Sequence, residues 1–309
     1  MPERVARRYP TQPKAERKRW LAGAGSEGNE TRALDDLRRL AFREGTPLVD
    51  DGSSRQQPER PALHPELIRR TALLDWFSAH RNESVVAIFA GAGYGKTTLL
   101  AQADQADTRP FAWVSLNERD NDPRVLVTHL ARGLDQLDGM GDQLDGIGRT
   151  AVEALQLHPS SVSSAIVPRL EAALASIDRP SVLVLDDVHV LHDRECLNIV
   201  AALCACVRDG SQLMLAGRAE PDVGLARVRA ERRLAELDRD KLALDPIEAG
   251  ALLSAAGVEL PAAEVDALTR RTEGWAVGLY LTALSLRRAR RSESAELFRV
   301  AGHDRQVRD

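Results

Sequence analysis

The amino-acid sequence predicts an α/β fold, a doubly wound and mainly parallel sheet followed by a helical domain. Three observations predict it. Short apolar runs alternate with amphipathic helical segments over residues 62–222, the pattern of a parallel sheet covered on both faces. One of those runs, Val85–Phe89, leads straight into the Gly-rich segment Ala90-Gly-Ala-Gly-Tyr-Gly-Lys-Thr-Thr98. Another, Val182–Leu185, ends in two adjacent carboxylates, Asp186 and Asp187.

The elements follow in order. Residues 1–61 read as a basic arm (Arg4, Arg7, Arg8, Lys14, Arg17, Lys18, Arg19) with a short amphipathic helix over 30–43 and a linker composition over 44–62. A solvated arm is the favoured reading over a nucleic-acid-binding tail. Pro10, Pro13 and the glutamates argue against a transit peptide. The ordered body predicts helix 65–80, strand 84–90, helix 96–106, strand 111–116 and helix 123–137. An irregular, Gly- and Asp-rich insertion covers 138–162. Helix 163–177, strand 181–185, helix 194–208 and strand 212–216 complete the sheet region. Residues 223–309 then read as mainly helical (246–255, 262–272, 276–290), a lid-like or winged-helix-like region.

Bulk properties narrow the function. A net charge of −4 gives no general affinity for nucleic acid or membrane. No apolar stretch approaches the roughly 20 residues that span a bilayer. Three cysteines, Cys196, Cys204 and Cys206, fit a reducing cytoplasm and a soluble cytoplasmic protein. They lie in an apolar helical run without partners at zinc spacing, so buried, inert thiols are the better reading.

The segment 90–98 has the form of a phosphate-binding loop, with Ala90 where the general pattern has its first glycine. Gly91, Gly93 and Gly95 permit positive φ and a close approach to a ligand, and the intervening Ala92 and Tyr94 contribute backbone amides to the same anion nest. Thr97 and Thr98 open a helix whose dipole favours phosphate. Lys96 would reach the β- and γ-phosphates, and the Thr97 hydroxyl would bind Mg²⁺. Lysine occurs only at 14, 18, 96 and 241, so its use here is selective. An ordinary Gly-rich turn is the alternative, and the strand, loop, helix order weighs against it.

The acidic strand end supplies the matching element. Asp186 would hold Mg²⁺, and Asp187 could orient or deprotonate an attacking water. Arg218, at the end of the next strand, could sense a γ-phosphate. Taken alone, it reads equally as a surface arginine.

Together these motifs resemble the signal-transducing (STAND-type) P-loop NTPase module of the large ATP-binding LuxR-type transcription regulators. The likeness runs over residues 62–309. It rests on the loop, on His64–Leu74, on Ala112–Pro123, on Leu185-Asp-Asp-Val-His189, on Gly217-Arg218 and on Thr272-Glu-Gly-Trp-Ala-Val-Gly-Leu279. In that family an alanine is usual at position 90. The resemblance implies ATP rather than GTP, with Mg²⁺, slow hydrolysis to ADP, and a switch between a self-associating ATP state and a closed ADP state. It implies that Arg218 is a sensor and that Arg70 belongs to the nucleotide site. Trp275 is expected to be a core aromatic. No segment reads as a recognition helix with a basic face, so DNA binding is implied by kinship alone. The chain ends at Asp309 inside what resembles a family segment, as expected of a fragment or a stand-alone switch. A non-hydrolysing module that pairs with a related regulator, or a truncated remnant, is the alternative.

Overall fold

The computed structural model describes residue 61, residues 67–137, residues 167, 168, 172, 174 and 177, and residues 179–288. The basic arm, the 30–43 helix, the 138–162 insertion and the chain after 288 lie outside the described residues. So does most of the 44–62 linker and of the 163–177 helix. Gln56–Asp309 is one compact unit, and it holds every element named below.

Helix α1 (Thr71–Ala79) precedes β1 (Val85–Phe89), α2 (Lys96–Ala106), β2 (Phe111–Ser115) and α3 (Pro123–Asp135). After the insertion come β3 (Val182–Asp186), α4 (Arg194–Cys206), β4 (Gln212–Gly217), α5 (Leu225–Ala230) and β5 (Leu234–Leu237). A single turn, α6 (Arg239–Leu242), leads to α7 (Pro246–Ala255), α8 (Ala262–Thr272) and α9 (276–288). All strand pairs are parallel, in the order β2-β3-β4-β1-β5.

The strands alternate their side chains between two cores, as a sheet covered on both faces requires. One face, with Val85, Ala87, Val114, Leu185 and Leu215, packs on α3 and α4 through Leu126, Leu130, Ile199 and Leu203. The other, with Val86, Ile88, Trp113, Val184 and Met214, packs on α1 and α2 through Leu74, Phe77, Leu99 and Leu100. A third core, built from Leu244, Leu253, Val258, Val265, Leu268 and Leu279, belongs to α7–α9. The doubly wound α/β fold followed by helices is therefore as the sequence predicts.

Local chemistry fixes where helices begin. Asp122 caps α3 and is followed by Pro123 at the first helical position. Asp193 caps α4 by accepting from the amides of Glu195 and Cys196. Asp245 and Glu248 form a capping box on α7. The acidic turn after β2 is likewise structural. Asn117 and Asp120 cap a 3₁₀ turn over Glu118–Asn121, and the fully buried Asp120 lies 3.0 Å from His129 Nδ1.

Two elements differ from expectation. Helix α1 starts at Thr71 rather than 65, because the segment before it is held in another conformation. The Arg70 amide donates to Gln102 Oε1 (2.9 Å), and Gln102 Nε2 donates to the Ile68 carbonyl (2.7 Å). Strand β5 lies in the span read from sequence as helical. It has only four residues, Arg232 and Arg233 precede it, and Glu236 interrupts its apolar pattern. Backbone pairing to β1 makes it a strand: the Val85 amide donates to the Arg233 carbonyl (3.0 Å) and Val85 sits opposite Leu234.

Cys196 and Cys204 are fully buried on α4, and burial pushes both thiols up to about 12. Since only the thiolate reacts, native protein at pH 8 should leave both unmodified by a disulfide reagent. Full reaction of all three cysteines is expected only in denaturant. Rapid titration of two or more thiols in the native state would contradict this core.

Candidate functional site

The carboxyl ends of β1, β4 and β3 lie side by side. The register sets Phe89 opposite Gly217 and Leu185 opposite Leu215. The residues that follow each strand, Ala90, Arg218 and Asp187, therefore emerge along one sheet edge, where ligands bind in such folds. Because β4 lies between β1 and β3, the loop after β1 and the acid after β3 face each other across Arg218.

The loop closes onto that edge. The Ala90 amide donates to the Gly217 carbonyl (3.2 Å). Gly93 and Gly95 take left-handed φ of 81° and 80°, and Gly95 starts α2 without a side-chain cap, leaving its first amides free of a side-chain partner. Lys96 Nζ donates to the carbonyls of Ala90 (2.7 Å) and Gly91 (2.9 Å). Burial pushes its ammonium below the ordinary lysine value, opposed by the charges of Asp186 and Asp187.

Thr97 Oγ1 donates to Asp186 Oδ2 at 2.6 Å, which joins the first turn of α2 to the end of β3. The other oxygen of the buried Asp186 accepts from the Asp187 amide (2.9 Å). Burial pushes the Asp186 carboxyl up, against the Thr97 hydrogen bond and with the help of the Asp187 charge. Asp187 itself adopts φ 59°, a conformation that a short polar side chain tolerates, and its carboxylate is half exposed toward the loop.

A cleft of about 640 Å³ opens above this edge, within the size range of small-ligand sites. Ala92, Gly93, Gly95, Lys96, Thr97, Thr98, Asp187 and Arg218 form its polar floor. Its opposite wall is apolar and comes from elsewhere in the chain: Leu67 and Ile68 before α1, Leu252 and Ala255 on α7, Val277 and Tyr280 on α9. Arg287 on α9 completes the rim. Leu67, Ile68 and Val277 lie in segments that resemble family motifs, but no spacing in the sequence marks any of these residues as a cleft wall.

Several expected site residues stand elsewhere. Ala90, Gly91 and Asp186 do not line the cleft: the first two hold Lys96 through their carbonyls, and Asp186 holds Thr97. The Tyr94 ring turns away from the cleft and is buried, and its hydroxyl accepts from Arg239 Nε (2.8 Å). Arg239 is also ion-paired to Glu273. Arg70, linked to the nucleotide by resemblance, does not line the cleft. Its guanidinium donates to the Leu242 carbonyl (2.9 Å) and to Glu248 Oε1 (2.9 Å), which ties α1 to α6 and α7.

Trp275 packs against a sheet core, as expected, and also reaches the loop. Its indole Nε1 donates to the Ala92 carbonyl (2.8 Å), and the Val277 amide donates to the Gly93 carbonyl (3.2 Å). The start of α9 thus holds two loop carbonyls on the outer side of the loop. Gly274 makes this possible. With φ 66°, it accepts the Leu244 amide (2.9 Å), and an added Cβ would lie 2.6 Å from the Leu244 carbonyl oxygen.

Comparison with known proteins agrees with this geometry. Residues 79–222 match the AAA domain family. Residues 79–222 thus form an AAA-like module that holds the loop, Asp186, Asp187 and Arg218. Over 246 residues the module and its helical extension are 31% identical to the HTH-type transcriptional regulator MalT of Yersinia enterocolitica, covering 79% of this chain and 26% of that one. Over 251 residues they are 30% identical to the serine/threonine-protein kinase PknK of Mycobacterium tuberculosis, covering 79% of this chain and 22% of the other. The chain thus spans about a quarter of the length of these relatives. A solved STAND protein with a tetratricopeptide-repeat sensor from Pyrococcus horikoshii is similar at 18% identity and a TM-score of 0.47, over 72% of this chain and 30% of that one. The kinship with a transcriptional regulator that the motifs suggest agrees with the match to MalT. No helix among the described residues is long and apolar enough to cross a membrane.

The module's loop is wedged against α9, and two glycines separate conformation from contact. Gly93 and Gly95 share the same positive φ, but an added Cβ at 93 would lie 2.7 Å from Trp275 Nε1 and 2.8 Å from Val277 Cγ2, while one at 95 meets nothing within 4 Å. Urea unfolding should find Gly93→Ala about 2 kcal/mol more destabilised than Gly95→Ala. Equal losses would mean that α9 does not press on the loop.

Proposed function

We propose that this chain is an ATP-binding signalling switch that hydrolyses ATP slowly to ADP with Mg²⁺. One observation carries the reading: Lys96, Thr97, Asp187 and Arg218, from three separate strand ends, converge at the polar floor of one cleft whose far wall is apolar, and Asp186 is hydrogen-bonded to Thr97 beside it. That division suits a nucleotide, with phosphates on the loop and a base between Leu67, Leu252 and Tyr280.

Lys96 would release the Ala90 and Gly91 carbonyls to bind the β- and γ-phosphates. The loop amides and the first turn of α2 would take the remaining phosphate oxygens. Thr97 and Asp186 offer the hard oxygen donors that Mg²⁺ prefers, and two protein donors are what it commonly uses when phosphates and waters supply the rest. Bound there, the ion would neutralise phosphate charge. Asp187 would orient the attacking water, and Arg218 would report the γ-phosphate from between the two motifs. Arg70 and Tyr94 have structural roles in this scheme.

The relatives favour a switch over an output module. MalT is named a transcriptional regulator and PknK a protein kinase, so the segment they share with this chain fits an input device joined to different effectors. Self-association in the ATP state, or pairing with a related regulator, would be its mode of signalling.

Calorimetry of Lys96→Ala should find ATP binding lost, at least 100-fold weaker than the parent, since a charge-assisted phosphate contact is removed at the loop's centre. Parental affinity in that variant would sink the site. Asp187→Ala should keep ATP affinity and lose phosphate release, by about 100-fold if the residue acts on water. Equal release rates would remove Asp187 from the mechanism. Nucleotide bound with no phosphate released by the parent would favour a non-hydrolysing module.

A further inference from the structure

One polar atom beside the site has no partner. His189 Nδ1 is buried and makes no hydrogen bond among the described residues. Buried ring nitrogens are rarely left this way, and such an atom calls for an explanation. The nearest carboxylate oxygen recorded for it is Asp187 Oδ1, at 3.6 Å, just beyond hydrogen-bond range.

The ring is held in place. His189 sits in the 3₁₀ turn Val188–Val190, closed by the Val190 amide on the Asp187 carbonyl (3.1 Å). That turn packs against the end of β4, where an added Cβ at Gly217 would lie 3.2 Å from the His189 amide nitrogen. The imidazole is mostly buried, whereas the Asp187 carboxylate is half exposed. A small rotation closes the gap. Burial, together with the positive charges of Arg218 and Lys96, keeps the ring neutral, although Asp187 and Asp186 pull the other way. A neutral ring holds one proton, and on Nδ1 that proton would have Asp187 as its acceptor.

We propose that His189 is a positioning residue for Asp187: its Nδ1–H donates to Asp187 Oδ1 and so aims Oδ2 into the cleft above the loop. The inference rests on the reading of Asp187 as the group that orients water. A carboxylate fixed through one oxygen presents the other in a single direction, whereas a freely rotating one does so only part of the time. His189 touches neither nucleotide nor water in this scheme and acts through Asp187.

The test uses the 309-residue chain. His189→Leu removes the donor, and His189→Asn returns an N–H close to the Nδ1 position. Under single turnover, His189→Leu should slow phosphate release by about 10–100-fold, the usual effect of losing an orienting hydrogen bond, with ATP affinity within about 2-fold of the parent. His189→Asn should recover most of the rate. Nitrogen-15 histidine spectra should show the Nδ1–H tautomer in the parent, with that signal shifted in Asp187→Ala. An Nε2–H tautomer, a parental rate in His189→Leu, or no recovery in His189→Asn would overturn this proposal and leave the hydrolytic reading standing. No phosphate release by the parent would overturn the role given to Asp187 and this proposal with it.

Discussion

The hydrogen bond from Thr97 to Asp186 is the interaction around which the site is arranged. It links the helix after β1 to the end of β3, two strands that are not neighbours. The two side chains meet across the end of β4, which lies between those strands. It is also placed under load. Asp186 is buried where its charge is unfavourable, and Lys96 is buried close by where its own charge is unfavourable. Each offsets part of the other's desolvation, and Thr97 stabilises the carboxylate further. Removing a partner from such a group leaves a buried charge uncompensated, which costs more than the interaction contributes. A trianionic or tetra-anionic ligand with a divalent cation would satisfy the whole set at once. Such a site is less stable empty than filled, the expected condition of a device that responds to its ligand.

The helical extension is part of that arrangement. Peptide groups carry their N–H and C=O on opposite sides, so a bond that holds a loop carbonyl outward also biases the peptide's amide inward. Trp275 and the Val277 amide do this at Ala92 and Gly93. Arg239 also holds the loop, through the Tyr94 hydroxyl, while paired to Glu273, two residues before Trp275. Any movement of α9 must therefore be felt by the phosphate loop, and a phosphate that reorganises the loop must be felt by α9. The coupling is reciprocal by thermodynamic necessity.

Much of this was legible in the sequence, and the reason is local encoding. Val85–Phe89, Val182–Leu185 and Leu213–Ala216 are continuous apolar runs because both faces of a central parallel strand are buried, so their type follows from composition alone. The loop glycines and the Asp186–Asp187 pair are contiguous, so their place at adjoining strand ends follows from spacing. Strand β5 was not legible, because an edge strand of four residues owes its conformation to the neighbour it pairs with. The apolar wall of the cleft was not legible for the same kind of reason. Leu67, Leu252 and Tyr280 are ordinary apolar residues on three separate elements, and only the packing of α7 and α9 against the loop assembles them.

Arg70 and Trp275 show how far a motif reaches. Both stand in segments that resemble family motifs, and both roles were assigned by type: an arginine to the ligand, a tryptophan to a core. The structure gives Arg70 partners on the helices, and Trp275 packs on a sheet core while its Nε1 reaches the loop. Arg70 has its guanidinium held by a carbonyl at the end of α6 and by the carboxylate that also caps α7, so moving it to a phosphate would break an ion pair and the tie between α1 and α6. Trp275 is only partly buried and places its one polar atom on the loop. A side chain's chemistry is set by the partners that its backbone brings within reach, and here the left-handed Glu273-Gly274 turn decides it. That turn reverses the chain after α8 tightly enough to set an indole N–H, rather than a methyl group, against Ala92. The same turn supplies Glu273 to Arg239, so one short left-handed bend fixes both contacts by which the helices hold the loop.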